Sequence, residues 1–273
     1  MTKIIWEASS KVKKNSNLYA FENFLSQKFN KKFNNNYKKI QDWSIKNAPD
    51  FWNSFWDFTK INGKKGKKKI KRSKTFYKNI FLPGSKLNFA ENLLSKNDSK
   101  KAMTFISENG YREERNWKKL NENVGKIINF LKKIGIKKGD RITAYMPNTI
   151  ETVEAFIATT GVGAIWSSCS PDFGIKGVVE RFIQINPKVL FVTDIYFYNG
   201  KKINVIDRIS EILRNLPSIK HVVVTSYPGQ NINKNYSFNK VKTKNWNDLL
   251  KIKFQKINFT KFDFEQELAI LYS

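Results

Sequence analysis

Cysteine and histidine each occur once in the 273 residues, as Cys169 and His221. That scarcity excludes an internal disulfide and a zinc site built from His and Cys ligands. Acidic residues are also few: 23 Asp and Glu stand against 50 Lys and Arg, a formal net charge of +27. Arginine fills only seven of those basic positions (72, 112, 115, 141, 181, 208 and 214). The planar guanidinium is the side chain that reads phosphates and base edges bidentately. An excess made of lysine therefore points to a solvated surface, with no specific nucleic-acid partner expected and only salt-sensitive sticking to polyanions. No stretch approaches the roughly 20 apolar residues of a membrane span; the longest apolar run, Ala155 to Ile165, is short and diluted by Thr and Gly. The opening MTKIIWEASSKVKK lacks the apolar core of a secretory signal. A cytoplasmic protein with no membrane partner is the expectation.

Apolar and aromatic residues are plentiful, at 40% and 14%, which argues for a folded globular chain of one large domain or two small ones. Through about Asn79 the chain reads as helical. Leu18, Phe21, Leu25 and Phe29 fall at helical spacing, as do Ile40, Trp43 and Ile45 before Pro49. The segment DFWNSFWDFTKI (50–61) places Phe51, Phe55 and Phe58 on one side with Trp52 and Trp56 beside them, a surface that must pack against a core or a neighbouring domain. GKKGKKKIKRSK (63–74) lacks the GxxxxGK[ST] spacing of a phosphate loop and reads as a solvated connection. Pro83-Gly84 marks a turn and Leu87 to Leu94 a short helix.

From Ala102 the pattern changes. Asn109-Gly110, flanked by Met103 to Glu108 and Tyr111 to Trp117, signals a hairpin of the type that favours positive φ at both central residues. Helix 117–134, stopped by Gly135, is followed by strand 141–146, helix 149–160, strand 164–167, helix 175–185, strand 188–193, helix 205–213 and strand 221–225. Such alternation predicts an α/β fold with a largely parallel sheet flanked by helices. Residues 227–244 read as a long surface loop, and Leu268 to Tyr272 as a strand in or beside the sheet. The loop SSCSPDFG (167–174) follows a strand end, where open α/β sheets bind ligands. Ser167, Ser168 and Ser170 offer hydroxyls there, and Gly174 permits close approach or positive φ. Cys169 and His221 are expected to be structural, and Arg181 to cap or pair locally.

The residues AIWSSCSPDFG (164–174), the Arg181-Phe182 pair and QINPKVL (184–190) closely resemble the acetoacetyl-CoA synthetases, a family of adenylate-forming acyl-CoA ligases. Trp6-Glu7, Trp43-Ser44, PDFW (49–52), FLPGSKLNFAENLL (81–94) and GDRI through MPN (139–148) extend the resemblance in the same order. It implies a helical N-terminal region over 1–100 and, over 101–273, the first part of an AMP-binding (adenylation) domain that is incomplete at the phosphate loop. It implies acetoacetate, ATP and CoA as substrates, with Mg2+, for the full-length enzyme, none bound tightly by these residues alone. Ser273 matches the first hydroxyl of the family's Ser/Thr/Gly-rich phosphate loop. The missing C-terminal portion of the same enzyme is the implied partner, and the 273 residues alone are expected to be inactive, with no catalytic residue among them. CoA contacts are implied at Ser170, Asp172 and Phe173, and at Lys201 and Lys202 beside the Tyr198-Asn199-Gly200 turn, although Pro171 and Asp172 stand where relatives carry glycines. A ligase for another short acid, or a non-catalytic CoA- or polyanion-binding module, are the alternatives.

Overall fold

The computed structural model describes residues 5–230 and 235–273. Residues 1–4, which open the segment read for a targeting signal, and 231–234, within the expected 227–244 loop, lie outside the described residues. The chain forms two compact units, divided between Lys86 and Leu87.

The first unit begins with four helices: α1 (Ser10–Lys14), α2 (Asn17–Phe29), α3 (Tyr37–Lys46) and α4 (Ala48–Phe58). Ser16 and Asn36 cap α2 and α3, each side-chain oxygen accepting a backbone N–H three residues on. Pro49 sits in the first turn of α4, where its missing N–H costs nothing. The core is aromatic. Phe21, Leu25, Phe33, Ile40 and Trp43 are buried, with Phe24, Phe29, Phe51 and Phe58 packed against them. Leu18 and Ile45, expected on the apolar faces, lie in end turns of α2 and α3 and are exposed. The α4 aromatics divide: Phe51 and Phe58 join the core, whereas Trp52 and Phe55 stay 44% and 38% exposed. Beyond α4, β1 (Ile70–Lys71) and β2 (Ile80–Phe81) pair antiparallel.

The second unit contains α5 (Phe89–Leu93), the hairpin β3 (Lys101–Ile106) and β4 (Arg112–Asn116), α6 (Trp117–Lys133), β5 (Arg141–Tyr145), α7 (Ile150–Gly161), β6 (Ile165–Cys169), α8 (Ile175–Phe182), β7 (Val189–Thr193), the hairpin β8 (Ile195–Tyr198) and β9 (Lys201–Asn204), α9 (Ile209–Asn215), β10 (His221–Thr225), β11 (Lys242–Asn245) and α10 (Trp246–Leu249). Five strands form one parallel sheet in the order β11-β10-β7-β5-β6, with Ile142 opposite Val189 and Arg141 opposite Ile165. The parallel α/β fold read from the sequence is the fold observed.

Alternate sheet residues face opposite layers. Ile142, Ala144, Val189, Phe191 and Val223 pack with α6, α7 and Trp246, while Tyr145, Leu190, Val192, Val222 and Val224 pack with α8 and α9. Burial on both faces explains the unbroken apolar runs of VLFV (189–192) and VVV (222–224). Leu268–Ile270 does run beside β6, as expected. Trp166 N donates to Leu268 O at 3.1 Å and Ile270 N to Trp166 O at 2.8 Å. Only the bridge Trp166–Ala269 forms there, so no full strand results. The expected 227–244 loop ends instead in β11, the edge strand beside β10.

One buried polar cluster stands apart from the core. Glu154 on α7 is fully buried, 3.1 Å from Arg115 Nε of β4, and accepts from Asn123 Nδ2 of α6 at 2.9 Å. Glu113 and Glu151 approach the same guanidinium at 2.9 and 3.7 Å.

Candidate functional site

The sheet order sets where a ligand fits. Counting the parallel strands in chain order, β5 and β7 are neighbours while β6 lies outside β5, so the connections leave β5 and β7 in opposite directions. A crevice opens at such a switch point beyond the carboxyl ends of the strands. A cavity of about 240 Å³ lies there, lined by Met146, Pro147 and Asn148 after β5, Ser168 and Cys169 at the end of β6 with Ser170 to Asp172 after it, and Tyr196 to Tyr198 of β8 after β7.

The loop after β6 is pinned from below. Tyr145, the last residue of β5, is buried, with its hydroxyl 2.5 Å from Phe173 O and 3.1 Å from Pro171 O. Arg208 Nη1 donates to that hydroxyl at 2.9 Å and to Pro171 O at 3.1 Å. Burial pushes the Tyr145 phenol above its ordinary range. Above this base, Ser170 Oγ donates to Asp172 Oδ2 at 2.6 Å, and Phe173 N donates to Ser170 O at 3.1 Å. Burial, then a hydrogen bond to Asp172, push the Tyr196 phenol up to about 12, which leaves it a proton donor to that carboxylate.

The β8–β9 hairpin forms the opposite wall. Asn199 and Gly200 both take positive φ, 50° and 72°, as a tight two-residue hairpin requires. Glu108 closes this turn, its carboxylate accepting from Asn199 N at 3.0 Å and Gly200 N at 2.9 Å. Lys201 pairs with Tyr198 and Lys202 with Phe197 across the hairpin. At the hairpin's root, buried Asp194 accepts from Ile195 N (2.7 Å) and Tyr227 N (3.0 Å), and burial raises its carboxyl.

The sequence-derived residues are thus partly brought together. Ser170 and Asp172 line the cavity; Lys201 and Lys202 are exposed on the strand behind its wall and do not line it. Phe173 turns to Arg181, whose guanidinium lies 4.3 Å from its ring and 6.0 Å from that of Tyr272. Arg181 also donates to Gly177 O, the local pairing expected of it, and Tyr272 donates to Arg181 O. Ser273 follows Tyr272 at the exposed end of the chain and is not in the cavity lining. Two expectations need correction. Ser167 is buried and donates to Ile270 O at 2.9 Å, because its β6 position points into the Leu268–Ile270 segment, so it offers no hydroxyl to a ligand. Gly174 has φ −68° as the N-cap of α8 and uses no positive φ. Cys169 is buried, its thiol pushed up to about 11 by desolvation, and His221 is held below its usual range by burial at a strand start. Tyr145, Arg208, Tyr196 and Glu108 escaped the sequence reading. Among the described residues no cluster of His, Cys, Asp and Glu is placed to hold a metal ion.

Residues 91–272 match the family of AMP-binding enzymes. The chain belongs to that family. The acetoacetyl-coenzyme A synthetase of Rhizobium meliloti (strain 1021) is 36% identical over 82% of this chain and 34% of its own length. That of Gallus gallus is 34% identical over 83% of this chain and 34% of its own. The chain therefore spans about a third of the length of these curated relatives. The solved structure of acetoacetyl-CoA synthetase from Streptomyces lividans superposes with a TM-score of 0.88 at 25% identity, over 100% of this chain and 41% of that one. The AMP-binding family and the parallel α/β architecture agree with what the loop after β6 implied.

Proposed function

We propose that these residues are the N-terminal part of an acetoacetate–CoA ligase, with 101–273 as the first part of its adenylation domain and CoA held at the switch-point cavity. In that reaction acetoacetate attacks the α-phosphate of ATP, giving acetoacetyl-AMP and diphosphate, and the CoA thiol then displaces AMP. The observation that carries the reading is that the loop after β6 and the hairpin after β7, both implied as CoA contacts, close on one cavity. Its chemistry divides by charge. Asp172 is acceptor-rich and repels phosphate, so it and Ser170 suit amine, amide and hydroxyl groups of CoA. Lys201 and Lys202 supply point charges for the phosphates, and Phe173, backed by Arg181, an apolar edge.

ATP is a different matter. The 273 residues contain no Ser/Gly-rich loop ending in lysine, and the described residues offer no group of three or more His, Cys, Asp and Glu that could hold a metal, so the donors that would hold the triphosphate and Mg2+ in that reaction are not among them. Ser273 stands as one contributor to a phosphate loop. No helix of the described residues is long and apolar enough to cross a membrane, and a cytoplasmic location is part of the proposal. The test is AMP release in the presence of ATP and CoA, with acetoacetate, acetate or propionate as the acid, from the polypeptide that the gene encodes. Acetoacetate should be strongly preferred; equal or better turnover of another acid would reassign the substrate.

A further inference from the structure

The cations between Asp57 and Glu91 take no part in the switch-point cavity. Residues 58–90 hold eleven Lys and Arg and no Asp or Glu. Lys65 and Lys69 pair with Asp57 and Asp50 of α4, each at 2.5 Å. Lys67, Lys68, Lys71, Arg72, Lys74 and Lys78 make no ion pair among the described residues. This run is more than the solvated connection read from its composition. Strands β1 and β2 pair, Ile70 with Phe81 and Lys71 with Ile80, and lift residues 72–79 as an ordered tip. Asn79 organises that tip: its Oδ1 accepts from Ser73 N and its Nδ2 donates to Phe76 O, both at 2.9 Å. Leu82 N donates to Lys69 O at the base, also at 2.9 Å.

What the tip displays is apolar. Phe76 and Tyr77 are 89% and 80% exposed. At the foot of the ribbon, Phe81 and Leu82 join Trp52, Phe55, Trp56 and Ile61 around a groove of about 270 Å³. An ordered loop that holds two aromatic rings in water, flanked in sequence by unpaired cations and carried on a ribbon whose foot lines an aromatic groove, has the composition of an interfacial contact.

We infer that this face is a peripheral docking surface for an anionic lipid interface, with Phe76 and Tyr77 seated at headgroup depth and the tip's lysines over the anionic headgroups. Charge complementarity chooses this occupant. Lysine is a compact charge on a flexible stem and suits a diffuse anionic layer; Arg72 is the only guanidinium in residues 58–90 for bidentate phosphate or base contacts. The groove is lined by carbon-rich side chains, which suit acyl chains better than base edges. This inference departs from the expectation of no membrane partner.

The test is co-sedimentation of the 273-residue protein with vesicles of phosphatidylcholine, alone or mixed with phosphatidylglycerol, at physiological salt. Binding to the mixed vesicles should exceed binding to neutral ones by about tenfold or more. The F76A/Y77A variant should lose about tenfold, as should the variant with Lys67, Lys68, Lys71 and Lys74 changed to Gln. A control with Lys118, Lys132, Lys133 and Lys137 changed to Gln removes the same charge elsewhere and should bind as the parent does. The inference is overturned if the control loses as much as the tip variants, since net charge alone would then explain the binding. It is equally overturned if no vesicle binding is seen, or if a single-stranded oligouridylate binds tenfold more tightly than the vesicles and depends on Phe76 and Tyr77.

Discussion

Tyr145→Phe removes one oxygen from beneath the candidate CoA loop. A phenol carries a single proton, and the shorter of its two distances, 2.5 Å against 3.1 Å, assigns that proton to Phe173 O. Pro171 O keeps its donor in the variant, because Arg208 Nη1 reaches it at 3.1 Å. The change therefore strands one carbonyl and takes one acceptor from Arg208, while the ring remains and leaves no large cavity. An unpaired polar group costs ~1–3 kcal/mol when fully buried; Phe173 is 39% exposed and its carbonyl part-buried, so urea unfolding should show a loss near ~1 kcal/mol, the lower end of that range. The hydroxyl also fixes the loop that carries Ser170 and Asp172, and part of the loss should appear as weaker CoA binding, about tenfold for each ~1.4 kcal/mol. Isothermal titration of CoA into parent and variant measures this directly. A variant that loses stability yet binds CoA as tightly as the parent would refute the reasoning, since the loop would then reach its binding shape without Tyr145.

Three further outcomes are expected. Burial pushes the Glu154 carboxyl from 4.5 up to about 8 against the pull of Arg115. The fold thus favours the protonated form: this contribution to stability is full below about pH 4.5 and is lost as pH rises towards about 8, with ~3 kcal/mol gone at pH 7. Glu154→Gln should flatten that decline in denaturant titrations run across the range; an equally steep fall in the variant would contradict the assignment. Reversing Lys201 and Lys202 to Glu should weaken CoA binding by about tenfold, less at high salt, and leave pantetheine binding unchanged; equal losses for both ligands would place the phosphates elsewhere. Gly163→Ala adds a methyl at φ +76° that presses into the Phe262 ring, and a loss of ~1–3 kcal/mol is expected from strain and overpacking. An unchanged melting temperature would show that Phe262 yields freely.

The fold was readable where burial dictated composition. VLFV (189–192) and VVV (222–224) are buried on both faces and could be placed as strands from their apolar runs alone. Asn109-Gly110 marked a turn, and there only Gly110 takes positive φ, 81°, which glycine adopts without strain. By contrast, KTKN of β11 is a polar edge strand with a single neighbour, and nothing in its side chains separates it from loop. The site divides in the same way. Ser170 was legible as a hydroxyl just past a strand, whereas Asp172, Lys201 and Lys202 were named only through the family resemblance. Arg208 lies 63 residues from Tyr145, and Glu108 lies 91 and 92 residues from the two N–H groups it caps. Those pairings are made by the strand order and leave no local trace. Phe76 and Tyr77 were hidden for the opposite reason: a lysine-rich surround reads as solvated loop until Asn79 is seen to order it.

The central claim is that the crevice between the loop after β6 and the β8–β9 hairpin holds CoA. The most direct measurement is amide NMR of the 273-residue protein during a CoA titration. Shifts confined to residues 168–173 and 196–202, saturable and reduced in Tyr145→Phe, are the result this account requires. No saturable shift at millimolar CoA, or shifts centred elsewhere, would contradict it.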